Sequence, residues 1–133
     1  KSPAAICRKV AEAKDGGVVE IWGDGQQTRS YLHIDECLEA TIRLTRSDFT
    51  GPVNIGSEEM VSIDHLVDMV AAIAGKQVEK RHVDGPLGVR GRRSDNSLLQ
   101  QSLGWAPSRP LHDGLVPTYA WITEQLRLGR RDV

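Results

Sequence analysis

Segments of helical and extended periodicity alternate along this chain, most of them stopped by Gly or Pro, and that alternation restricts the fold more than any single motif does. Ser2 followed by Pro3 reads as an N-cap with proline at the first helical position, and Ile6, Val10 and Ala13 carry a helix to Lys14. Asp15-Gly16-Gly17 ends it. Val18, Val19, Ile21 and Trp22 form a β-prone run, Gly23-Asp24-Gly25 supplies a tight turn, and Gln26 to His33 is a second extended segment; together they predict a β-hairpin. Asp35 stands at an N-cap position ahead of Leu38, Ile42 and Leu44 and predicts a helix over 35–46. Val53 to Gly56 reads as a short strand that needs a sheet to pair with. Ser62 caps a helix whose Ile63, Leu66, Val67, Val70, Ala71 and Ile73 share one broad face, ending at Gly75. Gln77 to Val83 reads as a strand, and 84–93 as a loop rich in Gly and Arg. Asp95 caps a short helix to Leu103, and Leu111 to Leu128 forms a last helix that Pro117 should kink.

A length of 133 residues fits one domain. No run of 18 or more apolar residues is present, so no membrane span is expected. Lys and Arg number 17 against 18 Asp and Glu, a net charge of -1, and no aromatic residue interleaves the arginines between Arg81 and Arg93, which together argue against nucleic acid as a partner. Cys7 and Cys37 have neither metal-ligand spacing nor the density of a disulfide scaffold; they read as small apolar residues of a reducing, cytoplasmic environment. His33, His65, His82 and His112 have no spacing that would place two on one helical face, so no metal is predicted. Nor is a dinucleotide turn present. G-x-G-x-x-G is absent, and Trp22-Gly23-Asp24-Gly25-Gln26 leads into an extended segment where a phosphate cradle would need a helix.

Four stretches nevertheless fall in a specific order. Ile21-Trp22-Gly23-Asp24-Gly25-Gln26-Gln27-Thr28-Arg29-Ser30-Tyr31-Leu32-His33-Ile34-Asp35 comes first, then Val53-Asn54-Ile55-Gly56-Ser57 followed by Ser62 and a helix, then Arg92 ahead of Ser94-Asp95, then Leu103-Gly104-Trp105-Ala106-Pro107. This order resembles the C-terminal part of the extended short-chain dehydrogenase/reductase family, the NAD-dependent nucleotide-sugar epimerases and dehydratases. The resemblance covers nearly the whole chain. It implies an α/β fold in which residues 1–133 form a single substrate-binding domain fragment, a small mixed sheet with four to five helices, the Rossmann cofactor half being missing. Residues 35–56 would belong to the cofactor-domain sheet of an intact enzyme. Tyr31 and Tyr119 are followed four residues later by Asp35 and Thr123, so the family's Tyr-x-x-x-Lys pair is absent and the isolated chain is expected to be inactive and to bind no NAD itself.

Within the family the likeness is greatest to the branch that inverts C3 and C5 of GDP-mannose. It rests on Lys1-Ser2-Pro3-Ala4-Ala5-Ile6-Cys7-Arg8-Lys9, Gln27-Thr28-Arg29-Ser30, Asp35-Glu36-Cys37 and Gly88-Val89-Arg90-Gly91-Arg92-Arg93-Ser94-Asp95-Asn96. That likeness implies a substrate oxidised transiently at C4 by NAD, exchanged at C3 and C5 by acid/base groups, and reduced again. It puts Lys1 at the catalytic lysine and makes Lys9, Gln27, Thr28, Arg29 and Arg92 substrate contacts, arginine being the side chain that clamps a diphosphate with planar, permanently charged donors. Beside these stand plainer readings: Lys1 as a solvated terminal amine, Lys9 as a helix-surface charge, Arg29 as a strand-surface charge, Asp95 as a cap and Trp105 as a core wedge closing the last helix. Arg93 departs from the asparagine expected of the plant-type enzyme. Open alternatives are another GDP- or dTDP-sugar 4,6-dehydratase or 4-epimerase, or a non-catalytic nucleotide-sugar binding module. Without its cofactor half the chain should self-associate, and a homo-oligomer is expected.

Overall fold

The computed structural model describes residues 2–86 and 88–130, and its layout follows from how three amphipathic helices bury their apolar faces. α1 (Ser2–Glu12) buries Ile6, Cys7 and Val10. α3 (Ile63–Ala74) buries Leu66, Val67, Val70 and Ala71, and α5 (Leu111–Arg127) buries Leu111, Leu115 and Ile122. They meet Val19 and Ile21 of β1 (Gly17–Trp22) in a single cluster, each fully buried aliphatic side chain contributing about 1.5–3 kcal/mol. The end of α1 is sealed by Lys76, whose Nζ donates to the carbonyls of Val10, Ala11 and Ala13 at 2.9, 3.0 and 2.7 Å, satisfying oxygens that the helix itself leaves unpaired. Ser62 caps α3 by accepting from the His65 amide at 3.1 Å, and Gly75 closes it in the left-handed region at φ 63°, both as the sequence predicts.

Five helices accompany two small sheets among the described residues, one parallel and one antiparallel. β1 lies parallel to β4 (Val78–Val83), with Gly17 opposite Val78 and Trp22 opposite Val83. β2 (Thr28–Ser30) lies antiparallel to β3 (Met60–Ser62). The predicted hairpin is therefore corrected: its two arms are strands of different sheets. The turn exists, with Gly23 and Gly25 at φ 79° and 70°, yet the ladder that would follow it is diverted. Gln27 takes the Trp22 carbonyl with its side-chain amide at 2.9 Å, and its backbone oxygen accepts from Ile63 at 3.2 Å. The free edge of β1 is then filled by β4, arriving through the α3 crossover that parallel pairing requires.

Four other expectations shift. α2 (Ile34–Thr45) is capped by His33, whose Nδ1 accepts from the Asp35 amide at 3.3 Å, so Asp35 sits in the first turn instead. α4 (Ser97–Leu103) starts two residues past Asp95; Asn96 occupies the cap, while Asp95 accepts from the Ser97 amide at 2.9 Å. Among the described residues Val53–Gly56 pairs with no strand, and of its backbone groups the Gly56 carbonyl accepts from the Asn96 side chain at 2.7 Å; β3 was not foreseen. Trp105 lies outside the buried cluster and carries the Arg43 guanidinium 5.3 Å from its ring centre, so it ties the chain after α4 to α2 and is no core wedge. Pro117 lies inside α5, which continues to Arg127.

Candidate functional site

Arg29, on β2, projects between two clefts. The first, about 580 Å³, is lined by Arg29, Ser30, Asn54, Ser57, Arg92 and Arg93 among others. The second, about 480 Å³, is lined by Lys9, Glu20, Trp22, Gln27, Arg29 and Pro86 among others. Of the residues singled out from the sequence, Arg29 and Arg92 thus share one cleft, and Lys9, Gln27 and Arg29 share the other. Thr28 lines neither cleft. Its amide donates to the Arg90 carbonyl at 2.9 Å, and a Cβ on Gly91 would meet its Oγ1 at 2.7 Å, so β2 and the arginine loop are in direct contact there. Lys1 lies outside the described residues.

The charges of this region differ in how far they are neutralised. Arg90 pairs with Asp24 at 2.6 Å and holds the Asp24 carboxyl below its ordinary range; Arg81 pairs with Glu20 at 2.6 Å. Among the described residues Arg92 makes no salt bridge, Arg93 acts only at longer range on Asp95, whose carboxyl is held below its ordinary range first by Ser97 and also by Arg93, and Arg29 donates to the Thr28 carbonyl at 2.7 Å. The first cleft therefore presents guanidinium groups to solvent with serine hydroxyls and the Asn54 amide beside them, a donor set for an anion. In the second cleft Lys9 donates to the Glu20 carbonyl at 2.7 Å, which fixes its ammonium along the wall. Gln27 is only 7% exposed, and its Oε1 has no partner among the described residues. Trp22, 59% exposed, offers an aromatic face next to these polar groups.

Behind the wall of the first cleft lies Asn96, which is 3% exposed and bonded to two of the lining residues. Its Nδ2 donates to the Gly56 carbonyl at 2.7 Å, its Oδ1 accepts from Ser94 Oγ at 2.9 Å, and its amide donates to Glu58 Oε1 at 3.0 Å. Asn54, Ser57, Ser94, Asn96 and Trp22 were not among the residues singled out from the sequence. Asn54 and Ser57 stood inside a motif read as a strand, Trp22 inside a β-prone run, and Asn96 behind an aspartate that explained the helix start.

Cys7 is fully buried and burial pushes its thiol up to about 11, which leaves no thiolate for acid/base work at neutral pH. Tyr31 is raised by the same cause. No cluster of three or more His, Cys, Asp or Glu that could hold a metal occurs among the described residues, and no helix there is long and apolar enough to cross a membrane. The Gly23–Gly25 turn does not fit a pyrophosphate. A Cβ on Gly25 would run into the Asp64 carboxylate and His82, which pair at 2.8 Å, so the turn faces a negative charge.

Residues 2–56 match the family described as NAD dependent epimerase/dehydratase family. GDP-mannose 3,5-epimerase of Arabidopsis thaliana is 53% identical over 126 residues, 95% of this chain and 33% of that protein. Among solved structures, UDP-glucuronic acid 4-epimerase of Bacillus cereus, in complex with UDP-glucuronic acid and NAD, superposes with a TM-score of 0.82 at 28% identity, over 95% of this chain and 40% of that one. UDP-glucose 4-epimerase of Thermotoga maritima shares the fold, with a TM-score of 0.84 at 24% identity over 95% of this chain and 40% of its own. The chain spans about a third of the length of the curated relatives that it matches.

Proposed function

We propose that this chain, which belongs to the extended short-chain dehydrogenase/reductase family, is the substrate-binding part of an NAD-dependent nucleotide-sugar epimerase, most like GDP-mannose 3,5-epimerase. The observation that carries the reading is the pair of clefts on either side of Arg29, one furnished for an anion and the other with an aromatic face beside fixed polar groups. Arg29 and Arg92 take the diphosphate, as bidentate donors whose charge does not titrate. Lys9 and Gln27 line the nucleotide side, where the exposed face of Trp22 can stack on the base and Gln27 Oε1, without a partner among the described residues, has acceptor capacity to spare; Thr28, beside Arg29 on β2, is the remaining contact and lies outside both linings. Lys1 is assigned the acid/base role at the sugar on resemblance alone.

The residues of this chain do not fit NAD. The glycine turn opposes the Asp64 carboxylate, and neither Tyr31 nor Tyr119 has a lysine four residues on, so hydride transfer belongs to sequence outside this chain, which alone is inactive. We further infer that residues 1–133 form one substrate-binding unit and that 35–56 face the cofactor domain in the intact protein. Ile34, Leu38 and Ile42, spaced on one side of α2, are 62, 54 and 46% exposed, a stripe that in the isolated chain favours self-association. A reducing, cytoplasmic location is the corresponding expectation.

Calorimetric titration with GDP-mannose, GDP, dTDP-glucose and NAD tests the reading. Saturable binding of GDP-mannose and GDP, weaker binding of dTDP-glucose and none of NAD is the expected ranking. Preference for NAD, or equal binding of all four, would refute it. Quenching of tryptophan fluorescence by GDP that is lost in Trp22→Leu checks the stacking.

A further inference from the structure

We propose that Asn96 is a positioning residue, a buried clamp that sets the geometry of the anion cleft through its neighbours without touching the ligand. The cleft is made from two segments that no strand pairing joins: Asn54 to Ser57 on one side and Arg92 to Ser94 on the other. The Asn96 side chain is the bolt between them. One end donates to the Gly56 carbonyl at 2.7 Å and the other accepts from the Ser94 hydroxyl at 2.9 Å, while its own amide is held by Glu58 at 3.0 Å. Its Nδ2 and Oδ1 are thus used at opposite ends, a pattern that neither Asp nor Leu at this position can reproduce. Gly56 and Ser94 are pressed together so closely that a Cβ on Gly56 would lie 2.6 Å from the Ser94 Cβ, so the contact itself leaves little slack. Two residues upstream of Ser94, Arg92 inherits its backbone position from this junction. An exposed arginine would otherwise spend most of its time in rotamers that miss the ligand, because its entropy is large and no salt bridge among the described residues fixes it.

The test has two arms, the second resting on the function proposed above. In the ligand-free chain, Asn96→Ala should displace the backbone amide resonances of 54–57 and 92–94 together while the α1–α3–α5 core stays in place. Changes confined to 95–97 would overturn the clamp. In the second arm GDP and guanosine are titrated into the unchanged chain, Asn96→Ala, Arg92→Ala and the double variant. Asn96→Ala should weaken GDP about tenfold on its own and less than twofold on the Arg92→Ala background, with guanosine affected less than twofold. An equal loss on both backgrounds, or an equal loss for guanosine, would mean a general structural effect and overturn the proposal. A chain that binds no GDP at all would refute the proposed function, whereas the amide displacements would still decide the clamp. Should Asn96→Ala fail to fold, Ser94→Ala cuts one connection and leaves the Gly56 bond, and it should weaken GDP about threefold in the same Arg92-dependent way. Unchanged affinity there would overturn the proposal as well.

Discussion

A methyl group added at Gly56 should act as a wedge in the cleft wall. Its Cβ would stand 2.6 Å from the Ser94 Cβ and 2.9 Å from Ser94 Oγ, against about 3.5–4.0 Å for relaxed contact between carbon atoms, so the two segments must part by about 1 Å. Overpacking of this kind costs about 1–3 kcal/mol. Parting also strains the bonds of 2.7 and 2.9 Å that Asn96 makes to the two segments, each with a net worth of about 1 kcal/mol. We therefore expect Gly56→Ala to destabilise the chain by about 2–3 kcal/mol. Unfolding entropy is about 2.1 cal/mol/K per residue, or about 0.28 kcal/mol/K at this length, so Tm followed by circular dichroism should fall by roughly 7–11 °C. Ser94→Gly removes both clashing atoms and leaves the Ser94 Cα at an ordinary 3.9 Å. On that background, Gly56→Ala should cost less than about 0.5 kcal/mol further, the coupling expected of residues in contact. A Tm within 2 °C of the parent's, or a loss that persists in full with Ser94→Gly, would mean that the Gly56–Ser94 contact does not hold the wall closed.

Other parts of the molecule give sharper or coarser tests. Lys76→Met removes three charge-assisted bonds at the end of α1 and should lower stability by about 1.5–3 kcal/mol in urea unfolding, whereas a change below 0.5 would mean that solvent replaces them. Leu66, fully buried between the helices, should cost about 2–5 kcal/mol as Leu66→Ala by the same measurement. For Cys7 the sign follows from protons: its thiol is raised from 9.0 to about 11 in the folded chain, so between those pH values the folded state holds more protons than the unfolded one. Its contribution is whole below pH 9 and is lost as pH rises towards 11, with a slope of up to about 1.4 kcal/mol per pH unit that Cys7→Ala should lack. Leu38→Lys, in the middle of the exposed α2 stripe, should shift sedimentation towards monomer, and an unchanged distribution would remove α2 from the self-association surface.

The sequence made legible what depends on local chemistry. Ser62 and Gly75 bracket α3 because a hydroxyl and a left-handed glycine are the groups that helix ends need, and the apolar face between them fixes the core. What it left hidden is set by partners far along the chain. The Gly23–Gly25 segment looks like a hairpin turn and its two glycines do take positive φ, but it joins no hairpin, because which strand completes each ladder depends on β4 and β3, more than 30 residues away, and on one glutamine side chain. The arginines followed the same division. Arg29 and Arg92 were found by residue type and motif, while the contrast with Arg81 and Arg90, neutralised by Glu20 and Asp24, exists only in three dimensions. Asn96 escaped because its neighbour Asp95 accounted for the start of α4.

The most direct test of the central claim is to map GDP-mannose onto the isotopically labelled chain by amide shift perturbation. A saturable response should be concentrated in residues 27–30, 54–57 and 92–94, with the indole N–H of Trp22 moving alongside and the whole response collapsing in Arg92→Ala. Perturbations centred on any other surface, or none at millimolar ligand, would contradict the claim that this chain carries the substrate-binding part of a nucleotide-sugar epimerase.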